Sequence, residues 1–228
     1  MAFAFEARFF REVLDQVQVR PRRLLVVGCG SGDEMAALAT ETGARCVGLD
    51  IDVSAKSRAP GVDLVRADAR RLPFRDATFD ALYCYHVLEH VPGPEGAVGE
   101  ARRVLGEGAA AYFGTPNKAR LVGYIGGRAT RSEKFWWNYH DWRRRLQGKW
   151  SNEQGAHAGF TGSELKGLLA RSFPRVDSVS LPYYLGKYPG LQGMWRMAFA
   201  TGLSAILAPS VYFRAMCRGE GRGGSAPR

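Results

Sequence analysis

Residues 24–34 read LLVVGCGSGDE, an apolar run that passes into three alternating glycines and then two acids. Four consecutive apolar residues ended by a glycine are typical of a strand buried on both faces of a sheet. The glycines permit a sharp turn and a close approach of a ligand to the backbone, and the free amides at the start of a following helix favour an anionic group. The stretch therefore predicts a strand, a helix over about Asp33–Thr40, and between them a ligand-binding loop that contains Gly28, Gly30 and Gly32.

The rest of the chain repeats this alternation of strands and helices. A helix is predicted over about Glu95–Leu105, and another follows the capping box Thr161-Gly162-Ser163-Glu164 and ends before Pro174. Strands separated by helical stretches imply right-handed crossovers, so we expect an α/β fold with a mostly parallel sheet and helices on both faces. The further predicted strands are Arg45–Asp50, Val62–Ala67, Phe79–Cys84, Ala109–Gly114 and Val176–Leu181.

Length and composition agree with one domain in a reducing compartment. The chain has 228 residues, of which 46% are hydrophobic and 24% charged, which excludes a disordered chain and leaves little room for two domains. Its 4 cysteines are too scattered for a disulfide framework or a zinc knuckle. Residues 1–17 interleave charged and apolar side chains, which predicts an amphipathic helix rather than a signal peptide. We therefore expect a cytoplasmic protein.

The basic charge of the chain lies in its back half. Residues 1–116 carry 14 Lys+Arg and 16 Asp+Glu, for a net charge of −2, and the remaining 18 Lys+Arg and 6 Asp+Glu give the rest +12. Such an asymmetry indicates that one part carries the chemistry while another faces an anionic substrate, a nucleic acid or an anionic lipid.

Asp50 ends the second predicted strand, 20 residues after Gly30. A carboxylate at that distance from a glycine loop can accept hydrogen bonds from both hydroxyls of a ribose, which indicates an adenosine-containing ligand. A nicotinamide dinucleotide site would have a glycine three residues after Gly30, but that residue is Asp33, whose charge would repel a pyrophosphate. We therefore expect a nucleoside ligand without phosphate groups.

Four stretches of the sequence, in this order, resemble the class I S-adenosylmethionine-dependent methyltransferases, in particular the small-molecule group that includes the ubiquinone and menaquinone biosynthesis enzymes. They are LLVVGCGSG at 24–32, VGLD at 47–50, ADARRLPFRDATFDALYCYHVLEHV at 67–91 and GTPN at 114–117. The resemblance implies a Rossmann-like doubly wound sheet, S-adenosylmethionine as cofactor, the ribose at Asp50, and the adenine at Asp68 and the Ala69 amide. The cofactor-binding residues that it implies are Gly28, Cys29, Gly30, Gly32, Asp50, Ile51, Asp68, Ala69 and Cys84.

One position departs from the pattern of that family. An acid usually lies two residues before the first glycine of the loop and helps to hold the methionine amino group, but here the residue is Val26. Either Asp33 or Glu34 substitutes for this acid, or the cofactor is bound less tightly. A non-catalytic relative that only binds the cofactor is therefore one alternative to an enzyme.

Methyl transfer from a sulfonium is an in-line displacement, so the protein mainly has to align the nucleophile and exclude water. A hydroxyl acceptor benefits from a nearby base, whereas a neutral amine needs none. His86 and His90 follow the fourth predicted strand, at the sheet edge where α/β proteins bind ligands. A stretch similar to the one around His157 lies beside the substrate in relatives. His157, His86 and His90 are thus the candidate catalytic residues for O-methylation.

The cluster His86-x-x-Glu89-His90 has two further interpretations. Glu89 and His90 can simply orient the loop that follows the strand. Alternatively, a similar Glu-x-x-Glu-His stretch in ubiquinone-type O-methyltransferases is associated with a divalent metal. An imidazole in place of the first carboxylate makes a softer site than magnesium prefers, so a metal stays unassigned.

An aromatic and basic insert covers residues 118–160. Aromatic rings interleaved with bases can stack nucleobases, which makes an RNA methyltransferase the alternative function. No basic nucleic-acid module is appended, and YCYHVLEH at 83–90 lacks the Asn/Asp-Pro-Pro-aromatic signature of amino-directed base methylases. The preferred interpretation is a lid over a bulky or anionic small molecule, with a core of its own. The residues concerned are Trp136, Trp137, Tyr139, Trp142 and Trp150.

Residues 197–213, MAFATGLSAILAPSVYF, contain no charge and are predicted to be helix-like. Their length is at the short limit of a membrane-spanning helix, and the arginines around them suit an interfacial segment. Three interpretations stay open: a buried last helix, peripheral contact of residues 190–218 with the inner face of a membrane, and a spanning helix.

These assignments give a single methyltransferase domain over residues 1–218. The expected function is O-methylation of a bulky, lipid-linked or glycosylated metabolite, with RNA methylation and cofactor binding without catalysis as alternatives. The oligomeric state is not encoded in these patterns. The parts are an N-terminal lid helix (1–20), a cofactor-binding core (21–117), a substrate lid (118–160), a C-terminal helix, strand and apolar segment (161–218), and a disordered tail (219–228).

Overall fold

The computed structural model of the chain describes residues 3–30, 32–52, 62–124, 129–153 and 156–218. The tail predicted to be disordered, 219–228, lies outside these ranges. The strands are β1 (Arg23–Val27), β2 (Arg45–Asp50), β3 (Val62–Arg66), β4 (Phe79–Tyr85), β5 (Leu105–Pro116), β6 (Arg175–Ser178) and β7 (Ser210–Met216). The helices are α1 (Ala4–Asp15), α2 (Asp33–Thr42), α3 (Pro94–Val104), α4 (Arg131–Leu146), α5 (Gly162–Ala170), α6 (Ser180–Lys187), α7 (Gln192–Ala200) and α8 (Ser204–Leu207).

The strands form one sheet in the order β3-β2-β1-β4-β5-β7-β6. The pairs β3–β2, β2–β1, β1–β4 and β4–β5 are parallel, and only β7 runs antiparallel to both of its neighbours. The chain moves outward from β1 to β3 and then returns to β4, so the strand order reverses between β1 and β4. Such a reversal leaves a crevice at the carboxyl ends of the strands, where open α/β sheets bind ligands.

The sheet is buried on both faces, as the apolar run at 24–27 predicts. Leu24 and Val26 belong to the core on the face covered by α1, α2 and α6, while Leu25 and Val27 belong to the core on the face covered by α3 and α5. Helix α1 packs on the first of these faces through five buried residues. One side of α1 therefore belongs to the core, and its first turn is the part that reaches the ligand side of the sheet.

The apolar tail differs from the helix expected over residues 197–213. Helices α7 and α8 end at Ala200 and Leu207, and Ser210–Met216 is a strand that pairs with β5 and β6. A strand between two others is buried on both faces, and its continuous apolar run has the same appearance as a buried helix in sequence. The expected helical structure is therefore present over Gln192–Ala200 and Ser204–Leu207, and the expectation is wrong for Ser210–Met216. In the part of the chain that the structure describes, no helix is long and apolar enough to cross a bilayer.

The insert also contains a helix that the sequence analysis did not predict. Helix α4 begins after Thr130, whose side chain forms a capping box with Glu133 in the same way that Thr161 does with Glu164. None of its residues is buried, and Trp136, Trp137 and Trp142 are 55%, 41% and 42% exposed. These tryptophans do not form a core of their own, so that expectation is wrong. Strand β6 is shorter than predicted, because α6 begins at Ser180.

Candidate active site

The glycine loop joins β1 to α2 at the crevice. Gly28 has a positive φ of 74°, and a Cβ at this position would clash with the side chain of Val87. Only glycine fits there, because the loop must turn sharply and pass close to the end of β4. The loop is fixed from its other side by Asp50, whose Oδ2 accepts a hydrogen bond of 2.8 Å from the Gly30 amide.

A pocket of about 330 Å³ lies beside this loop. Asp50 stands at the end of β2 on one side of it, and Asp68 and Ala69, which follow β3, stand on another. Of the cofactor-binding residues predicted from sequence, the structure brings these to the pocket wall: Gly28, Asp50, Ile51, Asp68 and Ala69. Cys29 and Cys84 are buried beside the pocket, and burial raises the pKa of the Cys29 thiol to about 11.

Asp68 is held by a neighbour that the sequence analysis did not single out. Nε and Nη2 of Arg70 donate to its two carboxylate oxygens at 3.1 and 2.6 Å. These charged hydrogen bonds lower the pKa of Asp68 to about 2, so the group is ionised at neutral pH. Arg70 also lies on the pocket wall. A ligand that binds to Asp68 therefore shares this carboxylate with the guanidinium group of Arg70.

Val26 occupies the position of the usual acid, and Glu34 lies on the same face of the sheet. Val26 is buried and lies next to Tyr83 in the β1–β4 register. Tyr83 Oη donates a hydrogen bond of 2.6 Å to Glu34 Oε1, and Glu34 is on the first turn of α2. Burial raises the pKa of Glu34 above its usual value. Of the two acids that could substitute, Glu34 therefore lies on the face of Val26, while Asp33 is exposed.

A second cavity, of about 690 Å³, adjoins the first. His86 and His90 line both of them, so the two cavities meet at these histidines. The wall of the second cavity is rich in tyrosine, and Glu6 and Lys187 form an ion pair of 2.5 Å on it. Its aromatic residues come from distant parts of the chain: Phe3, Phe5, Tyr85, Tyr124, Tyr183, Tyr184, Tyr188 and Tyr212.

The three candidate histidines lie together around one buried carboxylate. Nδ1 of His86 is 3.2 Å from Oε1 of Glu89, and Nε2 of His90 is 4.0 Å from the same atom. Nδ1 of His157 lies 3.0 Å from Nδ1 of His90, which brings the insert into the same cluster. Glu89 Oε2 is buried and has no hydrogen-bond partner among the described residues. Burial lowers the pKa of His90, and the neighbouring histidines lower it further.

Two of these histidines have a backbone conformation that is unusual for a residue with a side chain. His86 and His157 have positive φ angles of 55° and 47°. Such conformations cost about 1 kcal/mol or more each and are found preferentially at functional sites. Both residues lie on the wall of the second cavity.

The same cluster does not fit a metal ion. Among the residues that the structure describes, no three His, Cys, Asp or Glu side chains converge in the manner of a metal site. His90 directs Nδ1 toward another imidazole, and its Nε2 is 4.0 Å from Oε1 of Glu89, which is wider than the spacing of adjacent ligands around one ion. No step of the chemistry is therefore assigned to a metal.

The insert closes one side of the second cavity. Arg120 is buried on the cavity wall, forms an ion pair of 3.0 Å with Asp141 of α4, and donates a hydrogen bond to the carbonyl of Ala158, the residue after His157. Tyr124 lines the cavity and contacts Trp137 of α4 at 5.1 Å between ring centroids. His140, the fourth histidine, is exposed on α4. Sequence reasoning missed Arg120 and the tyrosines, because no local motif marks them.

Residues 25–113 match the family model described as a methyltransferase domain. A 24-methylenesterol C-methyltransferase of Oryza sativa subsp. japonica is 36% identical over 107 residues, which cover 42% of this chain and 30% of that protein. A ubiquinone biosynthesis O-methyltransferase of Pseudomonas entomophila is 27% identical over 174 residues, which cover 70% of this chain and 72% of that protein. The match to the sterol methyltransferase thus covers less than a third of that protein, and this chain spans less than half the length of the first curated relatives that it matches.

The fold agrees with these sequence matches. A SAM-dependent methyltransferase of Thermotoga maritima superposes with a TM-score of 0.55 over 95% of this chain and 90% of that one, at 17% sequence identity. The matching domain, the sheet order and the glycine loop with Asp50 all lead to one conclusion. Together they support a class I S-adenosylmethionine-dependent methyltransferase domain, for which the family match covers residues 25–113.

Proposed function

We propose that this chain transfers a methyl group from S-adenosylmethionine to a hydroxyl of a bulky, lipid-linked or glycosylated small molecule. The observation that carries the proposal is the junction of the two cavities at His86 and His90. A cofactor in the smaller cavity and an acceptor in the larger one would meet there. The larger cavity has the volume of a site for a sizeable organic molecule.

In the smaller cavity we assign the ribose hydroxyls to Asp50 and the adenine to Asp68 and the Ala69 amide. Asp50 accepts only backbone amides in the described structure, from Gly30 and from Asp52, so its carboxylate has further lone pairs for a diol. Asp68 would share its carboxylate between the adenine amine and Arg70. Arg70 also donates at 3.4 Å to the Pro92 carbonyl, which links two sides of the pocket wall.

The methionine amino group is assigned to Glu34. Its carboxylate lies on the face of the sheet where the usual acid is replaced by Val26, and Tyr83 fixes its position. An ammonium group would offset the cost of burying this carboxylate, because an opposite charge favours the ionised form. This assignment explains how the loop can work without the usual acid.

Bound S-adenosylmethionine would supply an electrophilic methyl carbon: the acceptor oxygen would form the new bond to it, and the electron pair of the broken carbon–sulfur bond would stay on sulfur. His86 is assigned as the base that takes the hydroxyl proton. Its Nδ1 lies 3.2 Å from Oε1 of Glu89, and with the proton on this nitrogen, Nε2 would have a lone pair for the acceptor. Of the two cavities, His157 lines the acceptor cavity and not the cofactor cavity. We assign to His157 and His90 the role of orienting the acceptor.

Transfer of a radiolabelled methyl group tests the proposal directly. The full chain is incubated with methyl-labelled S-adenosylmethionine and, separately, with a lipid extract and with total RNA. We expect label in a small molecule that partitions into the organic phase and that releases the label only under conditions that cleave a methyl ether. Label in RNA, or transfer to an amine, would contradict this acceptor. Calorimetry that shows no binding of S-adenosylmethionine, or tight binding of NADH, would contradict the cofactor site.

A further inference from the structure

Helix α4 presents aromatic and aliphatic side chains to solvent on one face. Phe135, Trp136, Tyr139 and Leu146 are 66%, 55%, 50% and 86% exposed. At 3.6 residues per turn, these side chains fall within about 100° of one another around the helix axis. Trp136 contacts the rings of Phe135 and Tyr139 at 5.8 and 5.6 Å. Contiguous apolar surface of this kind marks an interaction site in soluble proteins.

The opposite face of α4 fixes this orientation. Asn138 accepts a hydrogen bond of 2.7 Å from the Gly123 amide, and Asp141 pairs with the buried Arg120. Arg145 donates to the carbonyl of Arg120 at 2.7 Å and lies over the ring of Trp150 at 4.4 Å. The helix is therefore bonded to the chain by one side, and its aromatic side is held outward.

The charge of α4 favours an anionic partner. Its sequence contains five Lys+Arg and two acids, for a net charge of +3. Asp141 and Arg145 both face the chain, so their charges offset each other and the outward face of α4 keeps its basic charge. A second copy of this chain would bring like charges together at this face.

The composition of the face distinguishes a lipid surface from a nucleic acid. Tryptophan and tyrosine prefer the headgroup level of a bilayer, aliphatic side chains enter the acyl boundary, and flanking arginines attract anionic lipids. A single-stranded nucleic acid would use the rings, but it gains nothing from Leu146, an 86% exposed leucine at the carboxyl end of the face. Lipid is therefore the partner that uses all four side chains.

The apolar surface continues next to α4 and adjoins the acceptor cavity. Trp142 donates to the carbonyl of Leu121, and the Leu121 amide donates to the carbonyl of Ile206 on α8. Leu121, Ile206 and Leu207 are each more than a third exposed. Tyr124, three residues after Leu121, lines the acceptor cavity. A surface bound through α4 would thus lie beside the entrance to this cavity.

We propose that α4 seats this protein on an anionic lipid bilayer, with Phe135, Trp136, Tyr139 and Leu146 in the interface and the arginines at the lipid phosphates. This extends the peripheral contact expected for residues 190–218 to a surface that the sequence analysis assigned to the lid. The lipid contact is independent of catalysis. Delivery of a membrane-held acceptor to the cavity rests on the proposed function.

Sedimentation with vesicles tests the contact. The probes are vesicles of equal parts phosphatidylglycerol and phosphatidylcholine, and vesicles of phosphatidylcholine alone. We expect binding to the anionic vesicles that weakens as salt is raised, and a fall of about tenfold or more in the partition coefficient of the double variant Phe135→Ser, Trp136→Ser. Arg143→Glu on α4 should weaken binding, while the charge-matched Arg22→Glu, at the amino end of β1, should not.

Equal binding of the double variant and the unchanged protein would overturn the proposal, as would the absence of binding to anionic vesicles. Met197→Ser on α7, where the residue is 67% exposed, separates the two surfaces: a loss equal to that of the α4 variant would move the contact to residues 190–218. Loss of binding to a single-stranded oligoribonucleotide without loss of vesicle binding would assign α4 to RNA. Calorimetry with S-adenosylmethionine is run on the same proteins, so failure of the cofactor site is seen separately from failure of the lipid surface.

Discussion

The two cavities differ in where their walls come from in the sequence. The cofactor pocket is built from residues between Val27 and Pro92, in short stretches that follow β1, β2, β3 and β4. The acceptor cavity takes its wall from residues between Phe3 and Tyr212, on α1, β4, α6, β7 and the insert. The first is therefore marked by local motifs, whereas the second is assembled only when distant segments pack together. His86 and His90 belong to both.

The largest effect should come from His86, because it lies where the two cavities meet. For a hydroxyl acceptor, we expect His86→Ala to lower kcat by about two to four decades and to leave the affinity for S-adenosylmethionine nearly unchanged. His140→Ala, an exposed histidine on α4, is the matched control and should keep full activity. A chelator should leave the unchanged protein active. Activity of His86→Ala and His157→Ala close to that of the unchanged protein would indicate an amine acceptor and alignment alone.

A change at Asp50 tests the cofactor pocket without touching the acceptor cavity. Asp50→Ala should weaken S-adenosylmethionine binding by about 1–3 kcal/mol, because it removes charged hydrogen bonds to the ribose and releases the Gly30 amide. Calorimetry measures the effect. Asp63→Ala, which removes an exposed ion pair with Arg45 on the neighbouring strand, should leave binding unchanged. If both variants bind equally well, the ribose is not at Asp50.

A change at Glu34, on the first turn of α2, tests the site proposed for the methionine amino group. Burial raises its pKa, so the charged form is disfavoured in the folded protein, and this group loses stabilising effect as the pH rises through its folded pKa. Glu34→Gln keeps the hydrogen bond from Tyr83 and removes the buried charge. We expect thermal stability at pH 8 to be equal or higher, and S-adenosylmethionine affinity to fall about tenfold, or about 1.4 kcal/mol. Unchanged affinity would exclude Glu34 as the partner of the amino group.

The smallest effect concerns the pH dependence of the histidine cluster. The pKa of His90 is lowered in the folded protein, so the unfolded chain binds more protons below its usual value of 6.5. The contribution of His90 to the free energy of unfolding should therefore be fully present above about pH 6.5 and should be lost as the pH falls toward the folded pKa. His90→Asn should reduce this slope in thermal unfolding measured between pH 5 and 7, while His140→Asn should not. An unchanged slope would show that His90 is not the group responsible.

Some elements of the structure were predictable because their signals are local. The apolar run at 24–27 and the glycines after it predicted β1 and α2, Gly28 and Asp50 lie on the wall of the smaller cavity, and the capping box at Thr161 predicted α5. An equal capping box at Thr130 was available for α4 but was obscured by the aromatic and basic composition that follows it. The prediction of a helix was wrong for Ser210–Met216, because a strand buried between two neighbours has no alternating pattern of apolar and polar residues.

The sequence by itself determined the parallel sheet, the glycine loop and the ligand class, because backbone turns and strand ends depend on residues that are close along the chain. Only the tertiary structure decided that Glu34 faces the position of the missing acid, that His157 reaches His90 across 67 residues, and that β7 closes the sheet. It also decided that the rings of α4 point to solvent. These features depend on which faces of the elements pack against one another, and packing between distant segments leaves no periodic or local pattern in the sequence.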